Sequence, residues 1–227
     1  MDRAQRLPPS DRVTFRDREE AGRSLGARVR EARLDDPVVL GLPRGGVVVA
    51  AGVADALGAI LDIVVARKLG VPWQPELAFG AVAPGVVVLR EDVVAAAGLG
   101  PRDIEGAAAR EAAKLDALAR DYRGEGSPAL VEGRTAVIVD DGLATGATAT
   151  AAARSVRARR PARIVVAVPV CASETAADLR REVDDLICLG EYRDFQAVGR
   201  YYDEFGSVPD ATVRALIARS RHARLGR

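Results

Sequence analysis

The sequence contains very little of the residue types on which many catalytic and metal sites depend. One histidine is present, His222, and it lies close to the C-terminus. Histidine supplies much of the acid–base catalysis near neutral pH and is a frequent zinc ligand. Histidine-based catalysis and histidine-ligated metal sites are therefore strongly disfavoured.

Cysteine and lysine are also scarce. The two cysteines, Cys171 and Cys188, lie at or near the ends of apolar runs, which predicts buried free thiols rather than a disulfide framework. Lysine occurs only twice, whereas arginine supplies nearly all of the positive charge. A lysine that remains in a predicted loop, Lys68, is therefore a candidate functional residue.

Long apolar runs are absent. No segment approaches the length of a membrane span, and residues 1–6 lack the apolar core of a signal peptide. We therefore expect a cytoplasmic protein without a membrane partner. The net charge of +1 disfavours a nucleic-acid partner, and the arginines that follow Asp210 are interpreted as the solvated end of a helix.

The hydrophobic pattern predicts an α/β fold. Short apolar strands alternate with helical stretches, which is typical of a parallel, doubly wound (Rossmann-like) sheet covered by helices on both faces. Because the sequence contains no clear linker and no internal repeat, we predict that its 227 residues form a single domain, 1–227. Its predicted parts include an N-terminal helix at 15–35, a long loop at 69–80 and a small C-terminal hood at 190–227 with an aromatic segment and a helix.

One segment carries most of the chemical information. An apolar run ends in two acids, Asp140 and Asp141, and a helix follows the small residues Ala144, Thr145, Gly146, Ala147 and Thr148. A loop of this kind leaves backbone N–H groups free at a helix start, which suits a phosphate group. Carboxylates accept hydrogen bonds from sugar hydroxyls. The segment therefore predicts a site for a phosphorylated sugar.

This segment resembles the signature that type I phosphoribosyltransferases use to bind phosphoribosyl diphosphate (PRPP). The resemblance implies that the acids hold the ribose, and hold Mg²⁺ indirectly through water or ribose hydroxyls, while residues 144–148 hold the 5-phosphate. The Ala-Thr-Gly order is most similar to adenine-type members. Two positions depart from the wider family: Ala144, where 6-oxopurine enzymes have an Asp, and Gly142, where an aliphatic residue is usual.

Three further segments would meet this loop at the carboxyl edge of the sheet. Arg44 and Gly45 combine a cation with open backbone amides, and by resemblance they bind the diphosphate. Arg67 and Lys68 place positive charge beside that leaving group. Glu76, in the predicted loop, matches the acid of the adenine-type arrangement, and the loop is a candidate lid.

Aromatic residues are rare in this chain but cluster after the last predicted strand. Five of the eight Phe and Tyr residues fall within 191–205, and Phe195 and Tyr201 are candidates for stacking on a base. Two other interpretations of the cluster remain open: it covers the edge of the sheet, or it forms the face of a homodimer. A homodimer is the expected assembly.

The function implied by the resemblance is transfer of ribose 5-phosphate from PRPP to a nitrogenous base, a purine or a related heterocycle, with release of diphosphate. Two alternatives remain open. One is a PRPP-binding regulatory protein that carries out no transfer. The other is a phosphate-ester hydrolase with a similar loop. The acid pair alone is weak evidence for it, because a hydrolase also needs a nucleophile or a dedicated metal site.

Overall fold

The computed structural model describes residues 13–225. The predictions for residues 1–6 and for the last arginine of the chain lie outside the described residues. The elements follow one another in this order: α1 (Arg18–Glu31), β1 (Pro37–Gly41), α2 (Gly45–Leu57), β2 (Ile60–Ile63), β3 (Arg67–Val71), β4 (Gln74–Ala83), β5 (Val86–Leu89), α3 (Glu91–Ala96), α4 (Pro101–Arg123), β6 (Thr135–Val139), α5 (Ala147–Arg157), β7 (Arg163–Ala172), α6 (Ser173–Leu179), β8 (Asp185–Tyr192), a 3₁₀ helix (Val198–Tyr201) and α7 (Asp210–Leu225).

A five-stranded parallel sheet forms the centre of the fold, with the strand order β2-β1-β6-β7-β8. Successive residues of its strands point to opposite faces. Val39 and Val137 pack with α1, α2 and α7, whereas Val38 and Ile138 pack with α5 and α6. The predicted doubly wound α/β fold is confirmed.

The region predicted as a long loop at 69–80 is instead an antiparallel hairpin, so that prediction is wrong. β3, β4 and β5 form a three-stranded sheet, and register shifts occur between Leu69 and Val71. Pro75 is tolerated because β5 pairs only with the far end of β4, which leaves Pro75 on an edge without a partner on that side. The prolines suggested a loop, but the bulged pairing accommodates them.

The ends of the chain differ in smaller ways from the predictions. The first helix is shorter than 15–35 and begins at Arg18, where the Asp17 side chain accepts a hydrogen bond from the Glu20 N–H. The helix predicted within 190–227 runs from Asp210 to Leu225. The short helix α3 was not predicted. No helix in the described part of the chain combines the length and apolar character needed to cross a membrane.

Both cysteines are free thiols, as predicted. Cys171 on β7 is buried and Cys188 on β8 is half-buried, with 3.1 Å between the two sulfur atoms. The contact with Cys188 and burial hold the pKa of the Cys171 thiol far above its ordinary value. Cys171 is therefore a protonated core residue at neutral pH.

Candidate active site at the carboxyl edge of the sheet

A cavity of about 760 Å³ opens at the carboxyl ends of the parallel strands. One wall, called here the edge wall, consists of residues 42–45 after β1 and residues 140–148 after β6. The name cover is used here for the hairpin residues 67–77 and the segment 195–206, of which Arg67, Lys68, residues 196–199 and Phe205 line the cavity. Adjacent strands β1 and β6 bring the two parts of the edge wall together, because both strands run in the same direction.

The glycines after β1 allow the acids after β6 to come very close. A Cβ atom on Gly45 would lie 2.0 Å from Oδ2 of Asp141, and one on Gly46 would lie 2.8 Å from the Cα atom of Asp140. A Cβ atom on Gly46 would meet backbone atoms, whereas one on Gly45 would meet the Asp141 and Arg18 side chains. The peptide bond between Pro43 and Arg44 is cis. The Gly-Gly pair is therefore required by the contact between two strand ends that are distant in the sequence.

The two acids occupy different environments. Asp140 accepts a hydrogen bond from the Asp141 N–H at 2.9 Å. Burial and the neighbouring charge of Asp141 raise the pKa of the Asp140 carboxyl well above its ordinary value, and Lys68 and Arg18 oppose that rise. Asp141 instead pairs with Arg18, with 2.7 Å between Oδ2 and Nε. The charged form of the Asp140 carboxyl is thus disfavoured, while Asp141 has a cationic partner.

The predicted phosphate loop has the geometry of an anion site. Gly146 adopts a left-handed conformation (φ of 68°) immediately before α5. The Ala144 carbonyl accepts a hydrogen bond from the Thr175 hydroxyl at 2.6 Å, which attaches the loop to α6. The first N–H groups of α5 have no acceptor within the helix, so they are available to a ligand. Ala147 is buried behind the loop, and the other four predicted residues line the cavity.

Three predicted cations lie around the cavity, and each has a different environment. Arg44 is half-exposed, with 3.9 Å between its guanidinium and Asp210 of α7. Arg67 donates a hydrogen bond to Glu111 of α4. Lys68 is exposed and has no ion pair with any residue between 13 and 222. The cavity therefore receives positive charge both from the edge wall, through Arg44, and from the start of the hairpin, through Arg67 and Lys68.

The aromatic candidates are placed differently from the prediction. Phe195 and Tyr201 stack on each other within a cluster that also includes Tyr192, and neither lines the cavity. Phe205 lines the cavity instead, together with residues 196–199. This arrangement agrees with the interpretation that most of the aromatic segment covers the sheet edge.

The structure also accounts for the unusual Gly142. A Cβ atom at this position would lie 2.6 Å from the Val198 side chain, which belongs to the cover. Val198 fills the space that an aliphatic residue would otherwise occupy. Packing of the acid motif against the cover therefore explains why this chain has Gly142 where the family usually has an aliphatic residue.

Glu76 is not brought to the cavity. It is exposed on β4 and is absent from the residues that line the site. Trp73, at the turn of the same hairpin, has 64% of its surface exposed. The predicted roles of Glu76 and of a closing lid remain predictions.

Sequence reasoning missed Arg18 and Phe205, which line the cavity, and Asp210, which lies 3.9 Å from the Arg44 guanidinium. Arg18 begins α1 and reaches Asp141, although 123 positions separate them in the sequence. With thirty other arginines in the chain, nothing in the local pattern distinguishes Arg18. Phe205 belongs to the aromatic cluster, but spacing along the sequence does not distinguish it from the other aromatic residues there.

Known proteins share both the sequence pattern and the fold of this chain. A family model described as "Phosphoribosyl transferase domain" matches residues 17–203. A curated protein of Mycobacterium tuberculosis (strain ATCC 25618 / H37Rv), named "Putative phosphoribosyl transferase", is 43% identical over 207 residues, which are 91% of this chain and 47% of that protein. The chain thus spans about half the length of the curated relatives it matches.

Solved structures agree with this result. The crystal structure of TT1426 from Thermus thermophilus is 43% identical, has a TM-score of 0.76, and is matched over 91% of this chain and 98% of that one. A hypothetical protein from Neisseria gonorrhoeae, solved with bound ppGpp, has a TM-score of 0.51 at 13% identity, over 92% and 95% of the two chains. The second likeness concerns the fold alone. The family match, which covers most of the chain, shows that this protein belongs to the phosphoribosyltransferase family.

Proposed function

We propose that this protein transfers ribose 5-phosphate from PRPP to a nitrogenous base, a purine or a related heterocycle, and releases diphosphate. The observation that supports the proposal most strongly is the junction at Gly45. There the predicted diphosphate loop and the predicted ribose-binding acid approach so closely that a Cβ atom on Gly45 would lie 2.0 Å from Oδ2 of Asp141. PRPP carries its diphosphate on the carbon next to the ribose hydroxyls, so its binding requires such a junction.

The reaction would depend mainly on placing charges. As the bond to the diphosphate weakens, positive charge develops on the ribose and negative charge on the leaving group. Groups fixed where these charges appear stabilise the transition state. In the proposal, Asp140 and Asp141 face the ribose, while Arg44, Arg67 and Lys68 face the diphosphate. The loop 144–148 would hold the 5-phosphate and so fix the position of the reacting carbon.

Mg²⁺ is part of the proposal, and the residues present fit only an indirect role. The described residues contain no group of three or more His, Cys, Asp or Glu side chains able to hold a metal ion by themselves. Two adjacent carboxylates suit Mg²⁺ that keeps several waters and takes other ligands from phosphate oxygens. Bound in this way, Mg²⁺ would neutralise charge on the diphosphate. Asp140 and Asp141 are the residues that would hold it, through water or ribose hydroxyls.

A PRPP-binding regulator is the second candidate function. The observation that favours it is the pairing of two proposed functional side chains with other protein groups: Asp141 with Arg18, and Arg67 with Glu111. A binding protein tolerates such pairs, whereas a transferase must direct these charges to the reacting groups. The homodimer and the cytoplasmic location predicted from the sequence also remain proposals.

One assay distinguishes the two candidates. The protein is incubated with PRPP, Mg²⁺ and a panel of purines, pyrimidines and pyridine carboxylates, and the release of diphosphate is measured. Transfer predicts base-dependent release and a nucleotide product detectable by mass spectrometry. PRPP binding without release in the presence of any base would support the regulator and contradict the transferase.

A further inference from the structure

Arg18 lies at the centre of the site, although it belongs to the first helix. Its Nε donates to Asp141, and its Nη1 donates to the Gly206 carbonyl at 2.9 Å. The guanidinium lies 3.8 Å from the centroid of the Phe205 ring, and the side chain is 12% exposed. Arg18 therefore contacts both the edge wall and the cover.

Close helix packing fixes this position. A Cβ atom on Gly22 of α1 would lie 2.7 Å from the Val49 carbonyl oxygen, and one on Gly52 of α2 would lie 2.5 Å from the Gly22 carbonyl carbon. Only glycines allow the two helices to approach so closely. Because α2 begins at the diphosphate loop, the start of α1 is held beside that loop. A Cβ atom on Gly45 would lie 2.7 Å from Nε of Arg18.

The Arg18–Asp141 pair leaves some hydrogen-bonding groups unused. Among the described residues, no acceptor takes the Nη2 protons of Arg18 and no donor reaches Oδ1 of Asp141. Arg134 and Asp36 show the alternative in the same chain, since two N–H groups donate to both carboxylate oxygens. Arginine–carboxylate pairs frequently use that two-bond geometry. The pair in the cavity instead leaves one donor group and one acceptor atom available.

We propose that Arg18 is a further diphosphate-binding residue, and that Asp141 holds it in place while the free Oδ1 of Asp141 accepts a ribose hydroxyl. This inference rests on the proposed binding of PRPP at this site. Diphosphate carries its negative charge on the side of the ribose where Gly45, Asp141 and Arg18 meet. An arginine is suited to that place because several of its N–H groups reach phosphate oxygens while another remains on its carboxylate.

The rival explanation is that Arg18 acts only as the counter-ion of Asp141. The two explanations differ for ligands that lack diphosphate. A diphosphate-binding role means that removal of Arg18 lowers the affinity for PRPP and for diphosphate, but not for ribose 5-phosphate. A mere counter-ion competes with the ribose hydroxyls, so its removal changes the affinities for ribose 5-phosphate and PRPP by the same factor.

The test compares Arg18→Gln, Arg18→Lys and the control Arg23→Gln, an exposed arginine of the same helix. Calorimetry in the presence of Mg²⁺ gives the affinities for PRPP, diphosphate and ribose 5-phosphate. We expect Arg18→Gln to weaken binding of the first two by about tenfold or more and to leave ribose 5-phosphate within about twofold. Arg18→Lys is expected to be intermediate, and Arg23→Gln unchanged.

The outcomes also separate this inference from the proposed transfer. Equal changes for all three ligands, or unchanged diphosphate binding in Arg18→Gln, would overturn the role of Arg18. If Arg18→Gln does not fold, Arg18→Lys decides, because it keeps the charge beside Asp141 and loses the fork of donors. Wild-type protein that binds diphosphate but transfers to no base would refute the transferase and leave the Arg18 inference intact. Wild-type protein that binds neither PRPP nor diphosphate overturns both.

Discussion

The edge wall and the cover position their functional groups in different ways. In the edge wall, functional groups lie at strand ends and in the first turn of a helix. Glycines there leave room for neighbouring segments to approach closely. In the cover, side chains are positioned by other side chains, as in the stack of Phe195 on Tyr201 and the contact of Val198 with Gly142. A change in the edge wall disturbs the sheet edge itself, whereas the cover can exchange side chains. We therefore expect the edge wall, together with Arg67 and Lys68, to determine PRPP binding, and segment 195–206 of the cover to determine which base is accepted.

The largest effect is expected from removal of both acids of the edge wall. Asp140→Asn combined with Asp141→Asn removes the carboxylates that face the developing positive charge, so turnover is expected to fall by about a thousandfold or more. The protein is expected to remain folded, because both side chains face the cavity. Steady-state release of diphosphate and circular dichroism measure the two quantities. Near-normal turnover in the folded double variant would refute the assigned role, with Asp55→Asn, an exposed acid, as the control.

A large effect is also expected from Gly146→Val. A side chain at this left-handed position would lie 2.6 Å from the Thr175 methyl group and disturb the phosphate loop, so PRPP affinity is expected to fall by about a hundredfold. Gly58→Val is the matched control, because Gly58 has a similar φ of 61° and nothing lies within 4 Å of its Cβ position. Both variants share the backbone strain, but only the first touches the loop. Equal PRPP affinities in the two variants would contradict the phosphate-loop assignment.

The cover is expected to respond differently at its two phenylalanines. Phe205→Ala removes a ring that lines the cavity, so KM for the base is expected to rise by about tenfold with little loss of stability. Phe195→Ala removes a ring from the aromatic cluster, so the free energy of unfolding is expected to fall by about 2 kcal/mol with KM unchanged. Kinetics with an accepted base and urea denaturation separate the two outcomes. The reverse result would show that Phe195 contacts the base.

The acids of the edge wall also predict a dependence of stability on pH. Since the pKa of Asp140 is raised in the folded protein, its contribution to stability is present at low pH and is lost as pH rises through the folded pKa. Asp140→Asn cannot ionise and is therefore expected to be more stable than wild type above that pH. The advantage should disappear at lower pH in a series of urea denaturations.

Asp184→Asn provides a control of opposite sign. Burial raises the pKa of Asp184, but the Ile164 N–H and Arg157 outweigh it and lower the pKa overall. Its contribution is therefore present above the unfolded pKa and is lost as pH falls through the folded pKa. Asp184→Asn should be less stable than wild type near neutral pH. Parallel pH profiles for the two variants would contradict the assigned environments.

The smallest effect concerns the hairpin of the cover. If the hairpin closes over PRPP, exposed Trp73 enters a different environment and its fluorescence changes on addition of PRPP and Mg²⁺. The emission of this single tryptophan gives a direct readout. Ribose 5-phosphate without diphosphate serves as the control ligand. Identical spectra with and without saturating PRPP would count against closure and against a role for Glu76.

The sequence predicted that the residues of the edge wall lie together, as they do in the structure, because its signals are local. An apolar strand, two acids and a Thr-Gly loop are neighbours in the chain, so their arrangement follows from strand and helix geometry. The hairpin was mispredicted because Pro72 and Pro75 suggest a loop, whereas antiparallel pairing with a bulge depends on the partner strand. The choice between Phe195 and Phe205 failed for a similar reason, since spacing does not reveal which ring faces a cavity.

The sequence by itself determined the alternation of strands and helices, the position of the acid pair and the glycine of the predicted phosphate loop. Each of these depends on residues within a few positions of one another. Only the tertiary structure decided that Gly45 adjoins Asp141, that Val198 fills the space beside Gly142, and that Arg18 enters the site. These contacts depend on the order of strands in the sheet and on the packing of α1 against α2. Neither is encoded in the spacing of any single segment.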